Sequence, residues 1–279
     1  MRALTDLKTS VVKWLDRLAL PPPEDGEMEM LSYSASAFNK NRESRNIRRR
    51  LRPTKEQSAI LTLLALQMVV IVIVYQFSLT RILLYPFALL ATVFHEFGHA
   101  FMCVMTGGRV NQIQIEMNEA GLTRFQGGWV CAILPAGYIG STLIGSLLLF
   151  LAFGYKTARG TGWGVLAILV ITFFHAGDIF TYVATLTLFA IILGAIIYRG
   201  GAFARHFILF LGAIASVESI LAILNGTLLH TIEGSDAYVF SRQCSMVIPA
   251  FIYGLLWLII SILLIALALI SAVLFFRRR

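Results

Sequence analysis

Long apolar runs are the feature that most constrains how this chain can fold. A helix needs about 20 apolar residues to cross the roughly 30 Å hydrocarbon layer of a bilayer. Of the 279 residues, 58% are hydrophobic and 14% are charged, whereas soluble domains have about 45–50% and about 25%. We therefore expect an all-α polytopic membrane protein. The candidate spans are residues 59–77, 82–105, 129–153, 164–197, 203–224 and 246–276.

The number of spans depends on residues 164–197. As one helix this run would be roughly 50 Å long, well beyond the thickness of the hydrocarbon layer. It is either two short helices broken near "HAGD", which runs from His175 to Asp178, or one long tilted helix. We therefore predict six or seven spans. Counting positive charges favours six with both chain ends in the cytosol, whereas seven would place the terminal "RRR" outside.

Basic residues are concentrated just before the first span. The formal net charge is +8, and "KNRESRNIRRRLRPTK" occupies residues 40–55. Such a cluster next to a span marks the cytoplasmic face and contacts anionic lipid. Nucleic-acid binding is not expected, because no aromatic platform or nucleic-acid fold accompanies the cluster. We divide the chain into residues 1–55, a flexible basic cytosolic tail in which "VVKWLDRLAL" (residues 11–20) could form a short amphipathic helix, and residues 56–279, a membrane-embedded domain.

Alternating residues between the second and third spans predict a β-hairpin. In residues 106–129, "TGGRVNQIQIEMNEAGLTRFQGGW", apolar and polar side chains alternate before the turn-forming "NEAG". Alternation with period two, bounded by turn residues, is typical of paired strands. With a cytosolic tail, this hairpin is expected in the cytosol. The alternating residues are Ile113, Ile115 and Met117 against Gln112, Gln114 and Glu116.

The second span contains "HEFGH", residues 95–99. Helical positions i and i+4 share a face, so His95 and His99 can bind one zinc ion through imidazole nitrogens. Zinc in hydrolases acidifies a water molecule and polarises the scissile carbonyl, and Glu96 is placed to accept the proton. The structural alternative is that these side chains only form hydrogen bonds within a helix bundle. Ionisable groups at this depth are costly unless they are paired or functional, which favours the metal site.

A catalytic zinc ion normally has three protein ligands and one water, so a third ligand is needed. Asp236 follows the penultimate span, Glu218 lies within that span, and Asp178 lies in "HAGD" beside His175. Asn225 is a neutral and weaker candidate. Each also has a structural interpretation, since buried carboxylates can make interhelical contacts and an aspartate can cap a helix.

The three cysteines offer no second metal site. Cys103, Cys131 and Cys244 do not form a CxxC pair, so the sequence supports neither a disulfide framework nor a thiolate zinc site. We expect buried free thiols.

Three segments carry a family resemblance: "FHEFGHAFMCVMTGGRV", "PAGYIGSTLIGSLLL" and "GSDA". Together they resemble the site-2-protease family of intramembrane zinc metallopeptidases, and more narrowly its M50B-like branch, over residues 83–240. The resemblance implies a membrane-embedded site with His95 and His99 as zinc ligands and Glu96 as base. Family members usually take the third ligand from an aspartate followed by glycine, where this chain has Asn225 and Gly226. Because the chain retains "SDA", we assign the third ligand to Asp236, with Glu218 as the alternative.

The expected function is hydrolysis of a peptide bond within or near a transmembrane segment of a membrane-protein substrate. The hairpin, residues 110–125, could hold an unwound substrate strand by edge pairing. A non-catalytic membrane scaffold or chaperone is the alternative favoured by Asn225. An ion transporter lined by His95, His99, Asp178 and Glu218 is a third. We expect a multi-pass protein of an internal eukaryotic membrane, such as the endoplasmic reticulum or Golgi.

Overall fold

The computed structural model describes residues 2–17, 33, 36, 38–40, 42, 52–198, 203–229, 232–245 and 247–277. The chain divides into two compact units, Met1–Arg52 and Pro53–Arg279. Helix α1 (Arg2–Arg17) belongs to the first unit and covers most of the predicted amphipathic helix. The lipid contact predicted for residues 40–55 falls mostly outside the described residues.

The second unit confirms the all-α polytopic fold. Within the described residues, seven helices are long and apolar enough to cross a membrane, and the short helices α3 (Ser78–Arg81) and α9 (Asp236–Gln243) lie between them. The chain therefore has seven candidate spans rather than six. They are α2 (Lys55–Gln76), α4 (Tyr85–Met105), α5 (Val130–Ala152), α6 (Tyr155–Phe174), α7 (Ile179–Ile197), α8 (Ala204–Ile223), which continues into a π-helical turn (Leu224–Leu229), and α10 (Ala250–Phe275).

The long apolar run breaks at "HAGD", as the first of the two sequence interpretations predicts. Helix α6 ends at Phe174, and Asp178 caps the start of α7 by accepting a hydrogen bond from the Thr181 backbone N–H at 2.9 Å. The Thr181 hydroxyl also donates to Asp178 Oδ2 at 2.8 Å. Capping satisfies backbone groups that a buried helix end would otherwise leave unpaired. Asp178 therefore stabilises the break between two helices.

The predicted hairpin is present, as strands β1 (Arg109–Ile115) and β2 (Gly121–Gln126) in antiparallel register. Its location differs from the expectation. At the hairpin tip, Glu119 pairs with Arg81, and the Tyr85 hydroxyl donates to the Met117 carbonyl at 2.9 Å. Tyr85 is the first residue of α4, whereas β1 follows the end of α4. The hairpin therefore runs back along α4 within the membrane domain instead of lying wholly beyond the end of α4.

Small residues allow helices α4, α5 and α8 to approach closely. A side chain at Gly98 of α4 would overlap the Ala136 carbonyl oxygen of α5. A Cβ at Gly145 of α5 would lie 3.0 Å from the Ser216 hydroxyl of α8. Close contact through small residues is typical of membrane helix packing. This packing brings the histidine-bearing helix against its two main neighbours.

The expectation of free thiols is wrong for two of the three cysteines. Cys131, in the first turn of α5, forms a disulfide with Cys244, which follows α9. Cys103 is a free, buried thiol. The pair is 113 residues apart in sequence, so no local spacing pattern could indicate it. The disulfide covalently joins α9 to α5.

Candidate metal centre

Helix α4 presents His95 and His99 on one face, as the sequence predicts. Pro86 lies in its first turn, where a missing backbone N–H costs nothing, and Gly107 follows its end with φ of 84°. The helix is uninterrupted between these limits. The two imidazole Nε2 atoms lie 3.1 Å apart.

Asp236 joins the two histidines from the start of α9. Its Oδ2 lies 2.9 Å from His95 Nε2 and 3.3 Å from His99 Nε2. Ser235 caps α9 with its hydroxyl, which accepts from the Tyr238 backbone N–H at 3.4 Å. Within the part of the chain that the structure describes, these three residues form the only cluster of His, Cys, Asp or Glu side chains compact enough to hold a metal ion.

The spacing of the three atoms fits a metal ion of zinc size. Ligand atoms about 2.1 Å from a tetrahedral ion are about 3.4 Å from one another, close to the three distances observed. Gly137 of α5 faces the cluster, and a Cβ there would overlap the Nε2 atoms of His95 and His99. The glycine therefore leaves space beside the ligand atoms that any other residue would fill.

Neighbouring groups orient both imidazoles. His99 Nδ1 lies 2.8 Å from the Ile133 carbonyl oxygen, which can only accept, so Nδ1 carries a proton and Nε2 is the ring nitrogen directed at the cluster. Partners of this kind fix the tautomer of metal-binding histidines. The Tyr138 ring packs edge-on against the His95 ring with centroids 4.7 Å apart. Tyr138 in turn contacts Trp257 of α10.

The Asp236 carboxylate is held in its ionised form. Burial alone would raise its pKa, but the adjacent imidazoles of His99 and His95 outweigh burial and lower the pKa below its ordinary value. A carboxylate oxygen and two imidazole nitrogens form a donor set that zinc prefers.

Glu96 is buried and points toward the hairpin. Its Oε2 accepts a hydrogen bond from the Thr123 hydroxyl of β2 at 2.7 Å. Gly121 of β2 lies against the same carboxylate, where a side chain would overlap Oε1. Sequence reasoning missed Thr123. Its position opposite Ile113, on the inward face of the predicted hairpin, is the signal that could have identified it.

The other ligand candidates do not join the cluster. Asp178 caps α7, and His175 Nδ1 donates to the Ile171 carbonyl of its own helix at 2.9 Å. Glu218 lies in α8, and its Oε1 has no hydrogen-bond partner among the described residues. Asn225 lies in the π-helical turn.

That turn nevertheless contacts the surroundings of the metal centre. A Cβ added to Gly226 would lie 3.4 Å from the Tyr138 hydroxyl, and Tyr138 touches His95. Single π-helical turns are frequent at functional sites. Asn225 is therefore in a segment adjacent to the site, although it is not one of the three clustered residues.

Apolar helices around a partly buried cluster of two histidines and an aspartate define a multi-pass membrane protein with a potential metal centre. The sequence model of the family described as Peptidase M50B-like matches residues 63–268. The chain belongs to this family of peptidases, which is zinc-dependent, and the resemblance found in the sequence is confirmed. Comparisons with curated proteins and with solved structures give no significant match.

Proposed function

We propose that this membrane peptidase is an intramembrane zinc metalloprotease that uses the HExxH motif. The observation that carries the proposal is the convergence of His95 Nε2, His99 Nε2 and Asp236 Oδ2 within 3.3 Å of one another. Three protein ligands leave one position for water or substrate, which distinguishes a catalytic zinc site from a structural one. The cluster lies in a chain with seven candidate spans, so the peptide bond is cut within or near the membrane.

The residues divide the chemistry between them. A bound zinc ion would acidify a water molecule and polarise the scissile carbonyl. Glu96 accepts the proton of that water and later donates it to the leaving amine. Oε2 already accepts from the Thr123 hydroxyl, so we assign proton transfer to Oε1. The Thr123 contact fixes the orientation of the carboxylate during both transfers.

A membrane-protein segment is the proposed substrate, and the hairpin provides a place for it. The outer edge of β1 is occupied, because the Ile113 N–H donates to the His175 carbonyl at 2.7 Å and the Ile113 carbonyl accepts from the Gly177 N–H at 2.9 Å. A substrate strand would therefore pair with β2 rather than β1. In antiparallel sheets, residues opposite each other direct their backbone groups the same way, either toward or away from the partner strand. Since Ile113 directs its groups outward, so does its partner Thr123.

This edge lies beside the catalytic base. The Thr123 side chain contacts Glu96, while outside the β1–β2 ladder the Thr123 backbone N–H and carbonyl make no backbone hydrogen bond within the described residues. An extended substrate paired with β2 would lie next to the groups that cleave it. Edge pairing also satisfies the backbone of an unwound segment, which apolar surroundings leave unpaired at high cost.

Asn225 was the reason to consider a non-catalytic scaffold. Asp236 supplies a carboxylate to the same cluster from α9, which supports a complete ligand set despite Asn225.

We assign the protein to an internal eukaryotic membrane, such as the endoplasmic reticulum or Golgi.

The Glu96→Gln variant tests the protease directly. We expect the purified full chain to hold one zinc per molecule, and the variant to keep the zinc while cleavage falls at least about 100-fold, the lower end of general-base contributions. A quenched fluorescent peptide with a membrane-spanning sequence reports cleavage, and elemental analysis reports zinc. Folded protein without zinc, or undiminished cleavage by the variant, would contradict the proposal.

The Asp236→Asn variant tests the third ligand. Because a neutral amide is a poorer ligand than a carboxylate, we expect zinc affinity to fall by at least about tenfold. Glu218→Gln and Asp178→Asn are matched controls, each replacing a carboxylate that lies outside the cluster. Competition with a chromophoric chelator measures the affinity. Equal losses in Asp236→Asn and Glu218→Gln would remove Asp236 from the ligand set.

A further inference from the structure

The disulfide between Cys131 and Cys244 lies at the opposite end of α9 from Asp236. Helix α9 begins at Asp236 and ends at Gln243, directly before Cys244. Eight residues of helix separate Asp236 from Cys244 by about 12 Å along the helix axis. On α5, Gly137, which faces the histidines, is about 9 Å along the helix from Cys131. The disulfide therefore ties together the two helices that line the metal centre opposite α4.

Helix α9 is short, so its position depends on its contacts with neighbouring helices. It has eight residues, and isolated helices shorter than about 12 residues are marginal in water. Noncovalent contacts of α9 include Ala237, buried in a cluster with Tyr138 and Trp257, and Phe240, whose ring contacts Tyr253 and Trp257. Both sets of contacts involve α10 or the middle of α5. The covalent bond to the start of α5 is a separate constraint on where α9 lies.

We propose that the Cys131–Cys244 disulfide positions Asp236 as a zinc ligand, so that metal affinity depends on the oxidation state of this cysteine pair. The inference rests on the proposed function, because it requires Asp236 to bind the metal. In the oxidised protein α9 is fixed at both ends, by the metal centre and by the disulfide. In the reduced protein the carboxylate must be ordered by metal binding itself, which weakens that binding. Cys131 and Cys244 are positioning residues and touch neither metal nor substrate.

Reduction needs an external reagent, and a water-soluble phosphine is suitable because dithiols themselves bind zinc. One phosphine and one water convert the disulfide to two thiols and yield one phosphine oxide, with the two electrons coming from phosphorus. The Cys103→Ala background removes the remaining buried thiol. A thiol count then changes from none to two per chain on reduction and reports only this pair.

The experiment measures the zinc affinity of the purified full chain before reduction, after reduction and after reoxidation. We expect reduction to weaken zinc binding by about 10- to 100-fold, the range found for groups that position metal ligands, and reoxidation to restore it. A chromophoric chelator in competition gives the affinity. The double variant Cys131→Ser, Cys244→Ser should match the reduced protein, while chemical reduction of folded protein provides the answer if that variant does not fold.

Repeating the reduction in Asp236→Asn separates a positioning role from general stabilisation. If the disulfide acts through Asp236, reduction should not further weaken the residual zinc binding of this variant. A further loss as large as in the parent chain would overturn the proposal, and so would parent affinities that agree within twofold before and after reduction. An oxidised parent chain that binds no zinc would overturn the proposed function as well, which distinguishes the two failures.

Discussion

Gly137 has no side chain, and the candidate metal centre uses the space that this leaves. It lies against the Nε2 atoms of both histidines, and a Cβ at this position would overlap them. We predict that Gly137→Ala weakens zinc binding by at least about tenfold, as expected when metal ligands are displaced. Gly164→Ala is the matched control, since a Cβ there meets no atom within 4 Å among the described residues. Chelator competition on both variants measures the effect, and equal affinities would show that the space at Gly137 is not needed.

Single residues differ in how far the sequence alone predicts that they lie in or beside the candidate metal centre. His95 and His99 follow from helical spacing alone, because residues four apart share a face whatever surrounds the helix. Asp236 required the family resemblance, since several acidic residues were open as third ligand. Thr123 and Gly137 could not be assigned to the site, because their roles depend on the register of β2 and on the packing of α5 against α4.

At the scale of elements, pairing of the substrate with the edge of β2 can be tested separately from the Thr123 side chain. Thr123→Val removes the hydroxyl that orients Glu96 but keeps the backbone N–H. Thr123→Pro removes both, and proline is tolerated on edge strands. We expect Val to lower turnover by about tenfold, the kinetic equivalent of about 1.4 kcal/mol, which is near the lower value for a hydrogen bond to a charged group.

Proline should lower cleavage further than valine, because the N–H that would pair with the substrate is also lost. Both variants should keep zinc, since Thr123 is not among the clustered residues. Cleavage of the fluorescent peptide and zinc content are measured on both proteins. Equal turnover in the two variants would show that the substrate does not pair with the Thr123 backbone.

Elements were more predictable than their contacts. Apolar runs and period-two alternation predicted the spans and the hairpin. The excess length of residues 164–197 left a break or one long tilted helix open, and Asp178 stabilises the break. The return of the hairpin along α4 was not predictable, because it depends on contacts such as Tyr85 with Met117, 32 residues apart. The cysteine pairing was missed for the same reason, with partners 113 residues apart.

At the scale of the whole molecule, seven spans place the start of α2 and the end of α10 on opposite faces of the membrane. The connections α4–β1, α6–α7 and α8–α9 lie on the same face as the start of α2. Cys131 and Cys244, at the start of α5 and the end of α9, are on that face too. Disulfides persist in oxidising compartments and are rare in the cytosol. From the disulfide we therefore predict that this face is lumenal, whereas the basic residues 40–55 predicted a cytosolic face.

The numbers of Lys and Arg on the two sides of the membrane are nearly equal once all connections between the spans are counted. By sequence position, the segment before α2 and the connections on the side of the disulfide contain eleven Lys and Arg, and the remaining connections with the C-terminal segment contain eight. Counts this close give the positive-inside rule little power to set orientation, so we base the predicted orientation on the disulfide. The group of eleven comprises the eight Lys and Arg within residues 40–55, together with Arg109, Arg124 and Arg242. The group of eight comprises Arg81, Lys156, Arg159, Arg199, Arg205 and the three arginines of residues 277–279.

We therefore predict that the metal centre opens toward the lumen and that the C-terminal end of α10 faces the cytosol. In sealed microsomes, an epitope added after Arg279 should be digested by external protease, while one added before Met1 should be protected until detergent is present. An impermeant maleimide should label Cys131 and Cys244 only after reduction and permeabilisation. A protected C-terminal epitope with a digested N-terminal one would instead place the cysteine pair in the reducing cytosol. The disulfide would then form only under oxidative conditions, and zinc binding would respond to the cytosolic thiol balance.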